Sequence, residues 1–212
     1  MSVIIKYGGV MRNKLFISLF SIMLMLIYDF AFTAEKYAID PGHAHMGLAV
    51  KHFGVAHMIC SFKEISGTIM YDEKDITKSS VEILIKTASL ISGDAQRENA
   101  VKGPAFLHVE KFTEITFRSK QINKEDDKLQ ITGDLMIHGV TKEISFPFKL
   151  NGPVVDPWGN PRIGIEASLT VNRQDFGISF NRTLKSGELL VGNEVRITFS
   201  FEATPAADTS SN

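Results

Sequence analysis

Apolar and polar residues alternate with a period of two along most of the chain that follows Glu35. In the last clear run, Val195, Ile197 and Phe199 are separated by polar residues. Such alternation is typical of a β-strand with one face toward a core and the other toward water. The pattern predicts strands at about 38–40, 45–53, 57–71, 80–87, 114–122, 129–138, 144–150, 163–171 and 194–202.

Short turns separate these strands, for example at Asp40-Pro41-Gly42 and His138-Gly139. Strands joined by short turns become antiparallel neighbours, and one apolar face per strand favours a closed barrel or a two-sheet sandwich. Pro147 removes a ladder donor, so its strand should lie at an edge or bulge there. One helix is predicted from Asp94, a capping residue, to about Lys102. The sequence therefore predicts an all-β, antiparallel protein with one short helical excursion.

The N-terminal residues 1–34 have the pattern of a cleavable signal peptide. An apolar block, Leu15 to Tyr28, follows three cations and precedes small residues near Ala34. This block is shorter than the roughly 20 residues of a membrane span. Met11 is an alternative start, and cleavage after Thr33 or after Ala34 remains open. We expect export to the periplasm, a folded domain over residues 35–204 and a disordered tail over 205–212.

The composition of the 212-residue chain excludes several classes of protein. Hydrophobic residues make up 44% and the formal net charge is −1, which argues against a disordered chain and against phosphate-dominated binding of nucleic acid. Cys60 is the single cysteine, so no internal disulfide can form. Its apolar surroundings predict a buried, inert thiol.

A set of short segments, in a fixed order, resembles the YceI-like family of exported polyisoprenoid-binding proteins. The similarity covers roughly Tyr37 to Ala203. The segments are Ile39-Asp40-Pro41-Gly42-His43, Val50-Lys51-His52, Phe62-x-x-x-x-Gly67, Arg97-Glu98-Asn99, Glu114-Ile115-Thr116-Phe117, Gly133-Asp134-Leu135-x-Ile137-x-Gly139-Val140-Thr141 and Asn172-Arg173-x-Asp175-Phe176-Gly177. The resemblance implies a lipocalin-like barrel that holds a long isoprenoid chain, without catalytic residues or a cofactor.

Four polar residues are candidates for binding the lipid head group: His52, Arg97, Arg173 and Asp175. His52 shares the parity of Leu48 and should face inward, while a guanidinium suits a pyrophosphate or a quinone oxygen. Each has a structural alternative: a hydrogen bond for His52, a surface ion pair for Arg97, and a pinned strand end for Arg173 with Asp175. The residues expected to line the chain are Leu48, Ile69, Phe106, Leu135, Ile137 and Phe176, with ordinary core packing as the alternative.

Other functions stay open from the sequence. The histidines at 43, 45, 52 and 57 suggest a metal site, although His45 and His52 have opposite parity. A hydrolase lacks support because no Gly-x-Ser-x-Gly motif is present. A structural or stress-response module with a filled barrel is a further alternative. A lipid ligand predicts transient membrane contact for exchange, and a homodimer is one option for the oligomeric state.

Overall fold

The computed structural model describes residues 34–207, so the predicted signal peptide lies outside the described residues apart from Ala34. Ten strands and one α-helix form within this range. The elements are β1 (Glu35–His52), β2 (Ala56–Phe62), β3 (Ile65–Tyr71), β4 (Ser80–Lys86), β5 (Leu90–Ile91), α1 (Ala95–Lys102), β6 (Glu114–Glu125), β7 (Lys128–Ile137), β8 (Val140–Val155), β9 (Pro161–Asn172) and β10 (Val191–Pro205).

Eight antiparallel strands close into a barrel, in the ring order β1, β3, β4, β6, β7, β8, β9, β10 and back to β1. The β1–β10 pairing closes the ring and runs from Tyr37 opposite Pro205 to His52 opposite Val191. The prediction of an antiparallel β-barrel with one helical excursion is confirmed, and the two-sheet sandwich is excluded for the described residues.

On the edge that does not pair with β10, strand β1 pairs first with β3 and then with β2. This change of partner accounts for two differences from the predicted strands and turns. The predicted strand 57–71 is therefore two strands, divided at Lys63 and Glu64, whose backbone N–H groups donate to Ser89 Oγ. The predicted turn at Asp40-Pro41-Gly42 is instead a register shift within β1.

The helix and the proline prediction agree with the structure. Asp94 Oδ1 accepts a hydrogen bond from the N–H of Arg97 at 2.7 Å, and α1 ends before Gly103. Pro147 pairs only with β7, and pairing between β8 and β9 begins at Phe148 opposite Ala167. The segment after α1 folds back on the helix, since the N–H groups of Leu107 and Val109 donate to the carbonyl oxygens of Val101 and Lys102, each at 3.0 Å.

The C-terminal end of the domain extends further than predicted. Pro205 belongs to β10, and the N–H of Ala206 donates to the carbonyl oxygen of Lys36 at 2.7 Å. The first residues of the predicted tail are thus ordered because they continue the closing strand pair. The remainder of that tail, 208–212, lies outside the described residues. Within residues 34–207, no helix combines the length and apolar character needed to cross a bilayer.

Candidate functional site

A cavity of about 680 Å³ occupies the end of the barrel where β1 finishes and β10 begins. Its wall is made by inward residues of β1, β2, β6, β7, β9 and β10, together with α1, the segment after α1 and the loop before β10. Most of the lining is aliphatic or aromatic. The volume lies within the range of about 300–1,000 Å³ typical of small-molecule sites.

The mouth of this cavity lies beside α1. Lining residues contributed by the strands are buried or half-buried, whereas Asp94, Gln96, Ala100 and Ala105 are exposed. A ligand can therefore enter past α1 without any strand pair being opened.

Four of the six predicted chain-lining residues surround this cavity: Leu48, Phe106, Ile137 and Phe176. Ile69 and Leu135 do not line this cavity. They line a separate space of only about 60 Å³ at the other end of the barrel, where they pack among aromatic and branched side chains. Both side chains point into the barrel, as the alternation predicted. Alternation does not tell how far along the barrel axis a residue lies.

Arg97 is the cation best placed for a head group. It lines the cavity, is half-buried, and its Nη1 donates to the carbonyl oxygen of Ser92 at 3.3 Å. Among residues 34–207, no carboxylate lies within ion-pair distance of its guanidinium. The predicted alternative of a surface ion pair for Arg97 is therefore wrong.

The local structure before α1 holds Arg97 in place. Glu98 Oε1 accepts hydrogen bonds from the N–H groups of Ser92 at 2.7 Å and Gly93 at 3.2 Å, while Asp94 caps the helix. These bonds fix the turn that leads into α1, and the helix geometry then sets the direction of the Arg97 side chain.

His52 faces the cavity, as its parity predicted. Its ring stacks on Phe53 with centroids 3.8 Å apart, and its imidazole has no hydrogen-bond partner among the described residues. The expected structural hydrogen bond is therefore absent from the described part of the chain. Both nitrogens are left to interact with a ligand.

Arg173 lines the cavity, whereas Asp175 does not. Arg173 is only 3% exposed and donates to the carbonyl oxygens of Gly192, Ile178 and Val191, and to Asn193 Oδ1, at 2.7–3.1 Å. Four of its five N–H donors thus bind the first residues of β10 and the loop residue Ile178. Burial lowers its pKa. Asp175, which follows the inward Val171 in the sequence, is exposed because the chain has left β9 there.

Cys60 is buried and lines the cavity, as its apolar context predicted burial. Burial raises the pKa of its thiol, against a smaller opposing effect of Arg97. A raised pKa keeps the thiol protonated and weakly nucleophilic.

Part of the cavity wall was missed by the sequence analysis. The loop between β9 and β10 contributes Ile178, Phe180 and Leu190, and the Phe180 ring lies 4.9 Å from that of Phe106. This loop has no periodic pattern, so period-two analysis cannot detect it. What the sequence does show is that a few apolar residues interrupt an otherwise polar stretch that contains glycine.

The four histidines do not converge on a metal site in the described residues. The one group with suitable spacing combines His43 with Asp40 and Glu202. Arg162 already lies between those carboxylates, with Nη1 at 3.1 Å from Asp40 and 3.0 Å from Glu202. A cation there would have to displace a guanidinium, so the geometry favours an ion-pair network over a metal site.

An eight-stranded antiparallel barrel with an internal apolar cavity beside a short helix defines a lipocalin-like barrel. The family model described as the YceI-like domain matches residues 37–203, so the chain belongs to the YceI-like family. It is 35% identical over 162 residues to protein YceI of Salmonella arizonae, covering 76% of this chain and 85% of that protein. The same values hold for protein YceI of Salmonella paratyphi B.

Solved structures share the fold. BcnA of Burkholderia cenocepacia aligns with a TM-score of 0.68 at 22% identity, covering 78% of this chain and 99% of BcnA. A polyisoprenoid binding domain from Saccharophagus degradans, implicated in plant cell wall breakdown, aligns with a TM-score of 0.62 at 14% identity. That alignment covers 80% of this chain and 98% of the domain.

Proposed function

We propose that this protein binds a polyisoprenoid lipid, a prenyl quinone or prenyl pyrophosphate, inside its barrel and performs no chemical step on it. The observation that carries the proposal is the 680 Å³ apolar cavity whose exposed polar residues gather on the α1 side. The name of the Saccharophagus structure, a polyisoprenoid binding domain, supports the same ligand class. A barrel with a wholly filled core has no such space, which weighs against the purely structural alternative.

Removal of the isoprenoid chain from water supplies the driving force for binding. Burial of apolar area contributes about 25 cal/mol per Å². Confinement of the rotatable bonds opposes it, so the net affinity is much smaller than the area alone implies. An apolar wall of Leu48, Ile137 and Phe176 binds any similar chain, and selectivity among head groups then depends on the polar residues at the mouth.

Arg97 is the proposed head-group residue, with His52 as a second polar contact. A guanidinium without an acidic partner can form charge-assisted hydrogen bonds with a pyrophosphate, and weaker ones with a quinone oxygen. Arg173 has a structural role in this proposal because its guanidinium is already bonded to the protein.

The proposed location is the periplasm, after export directed by residues 1–34. Support comes from the sequence, in which an apolar block follows Arg12 and Lys14. In this compartment the protein would carry or store a lipid that is nearly insoluble in water, and transient contact with a membrane would allow exchange.

Analysis of the native protein tests the lipid proposal directly. The protein, purified from its own host without a histidine tag, is examined by native mass spectrometry and by solvent extraction with lipid identification. We expect a co-purified prenyl lipid, or uptake of an added prenyl quinone. A ligand-free mass combined with no uptake would contradict the proposal.

Substitution of Arg97 tests the head-group role. Arg97→Met should weaken binding of a prenyl pyrophosphate by about tenfold or more, and that of a neutral prenyl quinone much less, since charge-assisted hydrogen bonds are worth about 1.5–3 kcal/mol. Titration calorimetry measures both ligands. Arg196→Met, on the exposed face of β10, is the matched control. Equal losses for both ligands would remove Arg97 from the head-group site.

A further inference from the structure

The hairpin between β1 and β2 carries exposed apolar side chains at the end of the barrel that holds the large cavity. Val55, at its tip, is 82% exposed, and Ile59, on the outer face of β2, is 65% exposed. Phe53 is 42% exposed, and its ring stacks on that of His52, which lines the cavity. We call Phe53, Val55 and Ile59 the hairpin patch. Grouped apolar residues on a protein surface mark a contact with a protein, a ligand or a membrane.

The hairpin borders the opening of the cavity. Strand β2 pairs with β1 over its whole length, but with β5 only through its last two residues. In the part of the chain that the structure describes, the outer edge of β2 over residues 56–60 pairs with no further strand. Residues 92–94 lead from β5 into α1, and Met58 of β2 and Arg97 of α1 line the same cavity. The hairpin patch therefore lies beside the mouth.

The loop before β10 lies against the tip of this hairpin. The N–H of Phe53 donates to the carbonyl oxygen of Leu190 at 3.0 Å. Within the loop, the N–H of Leu190 donates to the carbonyl oxygen of Arg182, and the N–H of Leu184 donates to that of Glu188, each at 2.8 Å. The loop is thus a small hairpin, and two hairpin tips are held together at the cavity end.

Unpaired cations surround the hairpin patch. Lys51, Arg182 and Lys185 are exposed. Among residues 34–207, no carboxylate lies within ion-pair distance of any of these three, although Glu188 and Glu194 are nearby in the sequence. Apolar side chains flanked by free cations match an anionic membrane, since the apolar groups enter the interface and the cations attract the lipid phosphates.

A second exposed apolar group lies at the other end of the barrel, on the hairpin between β8 and β9. Val155 and Trp158 there are 72% and 79% exposed. Arg162, at the base of that hairpin, binds three carboxylates at 2.9–3.1 Å, so its charge is neutralised within the protein. Charge and nearness to the large cavity both favour the β1–β2 hairpin as the membrane contact.

We propose that the hairpin patch docks on an anionic phospholipid bilayer and brings the mouth beside α1 to the membrane surface; this rests on the proposed function. Phe53 and Val55 enter the boundary between head groups and acyl chains, while Lys51 and Lys185 contact lipid phosphates. A prenyl lipid then passes between bilayer and barrel without crossing bulk water.

Fluorescence quenching by brominated phospholipids tests which end meets the membrane. Trp158 is the single tryptophan and reports the far end in the wild type. Phe53→Trp combined with Trp158→Phe moves the indole to the β1–β2 tip, and Val55→Trp is the second probe if circular dichroism shows the first to be unfolded. With vesicles of phosphatidylglycerol and phosphatidylethanolamine, we expect strong quenching at the tip and little at Trp158. Equal quenching at both ends, the reverse result, or none at either, as for a tip that binds a protein, would each overturn the proposal.

Two valines on opposite hairpins provide matched substitutions. Val55→Asp should weaken sedimentation with these vesicles about tenfold or more, because it removes an apolar contact and adds a charge that anionic lipid repels. Val155→Asp makes the same change on a similarly exposed valine and should alter binding by less than about twofold. Equal losses in the two variants, or unaltered binding of Val55→Asp, would contradict docking through the β1–β2 tip.

The cations are tested in the same assay. Lys51→Gln combined with Lys185→Gln should weaken binding about tenfold. Lys124→Gln combined with Lys128→Gln removes two exposed lysines at the far end, where β6 turns into β7, and should have little effect. Equal effects of both pairs would mean that net charge, and not this surface, attracts the vesicles.

Loading from two sources separates docking from lipid binding. From vesicles, Val55→Asp should take up a prenyl quinone about tenfold more slowly than wild type. From detergent its affinity should be unchanged, because Val55 does not line the cavity. Equal rates from vesicles would overturn the docking proposal while lipid binding stands. If wild type takes up no quinone from either source, the proposed function fails, and quenching still decides whether the tip docks.

Discussion

The two arginines that line the cavity differ in how many of their N–H donors already bind the protein. Arg173 gives four hydrogen bonds to the protein, whereas Arg97 gives one. The sequence showed two arginines near strand and helix ends. It could not show that carbonyl oxygens of Ile178 in the loop and of Val191 and Gly192 at the start of β10 surround only Arg173.

Loss of Arg173 should destabilise the fold. Arg173→Met removes four hydrogen bonds, among them the buried one to the carbonyl oxygen of Ile178, so we expect the free energy of unfolding to fall by about 3 kcal/mol. Urea denaturation measures it. Arg196→Met, a surface substitution, should stay within about 0.5 kcal/mol of wild type. A similarly small change for Arg173→Met would show that its bonds contribute little.

Because of Asp156, we expect the free energy of unfolding to decrease at acidic pH. Its carboxylate accepts hydrogen bonds from the N–H groups of Asn160 and Trp158 and from Arg162, which lower its pKa to about 2. The unfolded chain has a carboxyl pKa near 3.9, so it binds the proton at higher pH than the folded protein does. The stabilisation is complete above about pH 4 and is lost as pH falls toward 2.

Asp156→Asn should flatten this part of the pH profile. Urea midpoints of the variant and of wild type, measured at intervals between pH 5 and pH 2, should diverge most at the upper end and converge at the lower end. Parallel profiles would mean that Asp156 does not contribute to acid sensitivity.

Among the elements, the strands were easier to predict than their connections. Alternation located most of the barrel strands because one face of each is buried. The division between β2 and β3 was missed although the parity changes there: the buried residues of β2 are Cys60 and Phe62, whereas those of β3 are Ile65, Ile69 and Tyr71. The two strands also join different halves of β1. Partner choice is a long-range property that a local pattern does not contain.

The N-terminal cap of α1 should control the order of the cavity mouth. Asp94→Ala removes the bond to the N–H of Arg97, at a cost of about 1 kcal/mol, or about fivefold in local opening. Hydrogen exchange of the amides in Ala95–Lys102 measures this. Asp94→Ser retains a capping oxygen and should restore most of the protection. Equal exchange in both variants and wild type would contradict a role for the cap.

For the whole molecule, the sequence predicted the barrel and its inward faces but not how its interior space is distributed between the two ends. Ile69 and Leu135 have the parity of lining residues, yet whether an interior is empty depends on how side chains from opposite strands meet. Volume in a barrel is set jointly by several strands. Four lining residues could therefore be identified from the sequence, while the depth of the cavity could not.

Ligand binding should stabilise the whole domain. At a free concentration of a prenyl quinone about one hundred times the dissociation constant, stabilisation is about 2.7 kcal/mol, or about 5–10 °C in Tm for a domain of this size. Thermal melts monitored by circular dichroism, with and without the quinone, measure this shift. The same dispersing detergent without lipid is the control, and an unchanged Tm at saturation would contradict binding to the folded state.

The neighbouring positions of β1 and β10 determine when the barrel can be completed. The first and last strands of the domain pair directly, from Tyr37 opposite Pro205 onward. Until residues 191–205 are available to pair, β1 and β9 both present unpaired edges, and an apolar interior faces water. Such a nascent chain is prone to aggregate and cannot reach its final topology early. We therefore expect folding only after synthesis ends, with a dependence on chaperones while the chain is incomplete.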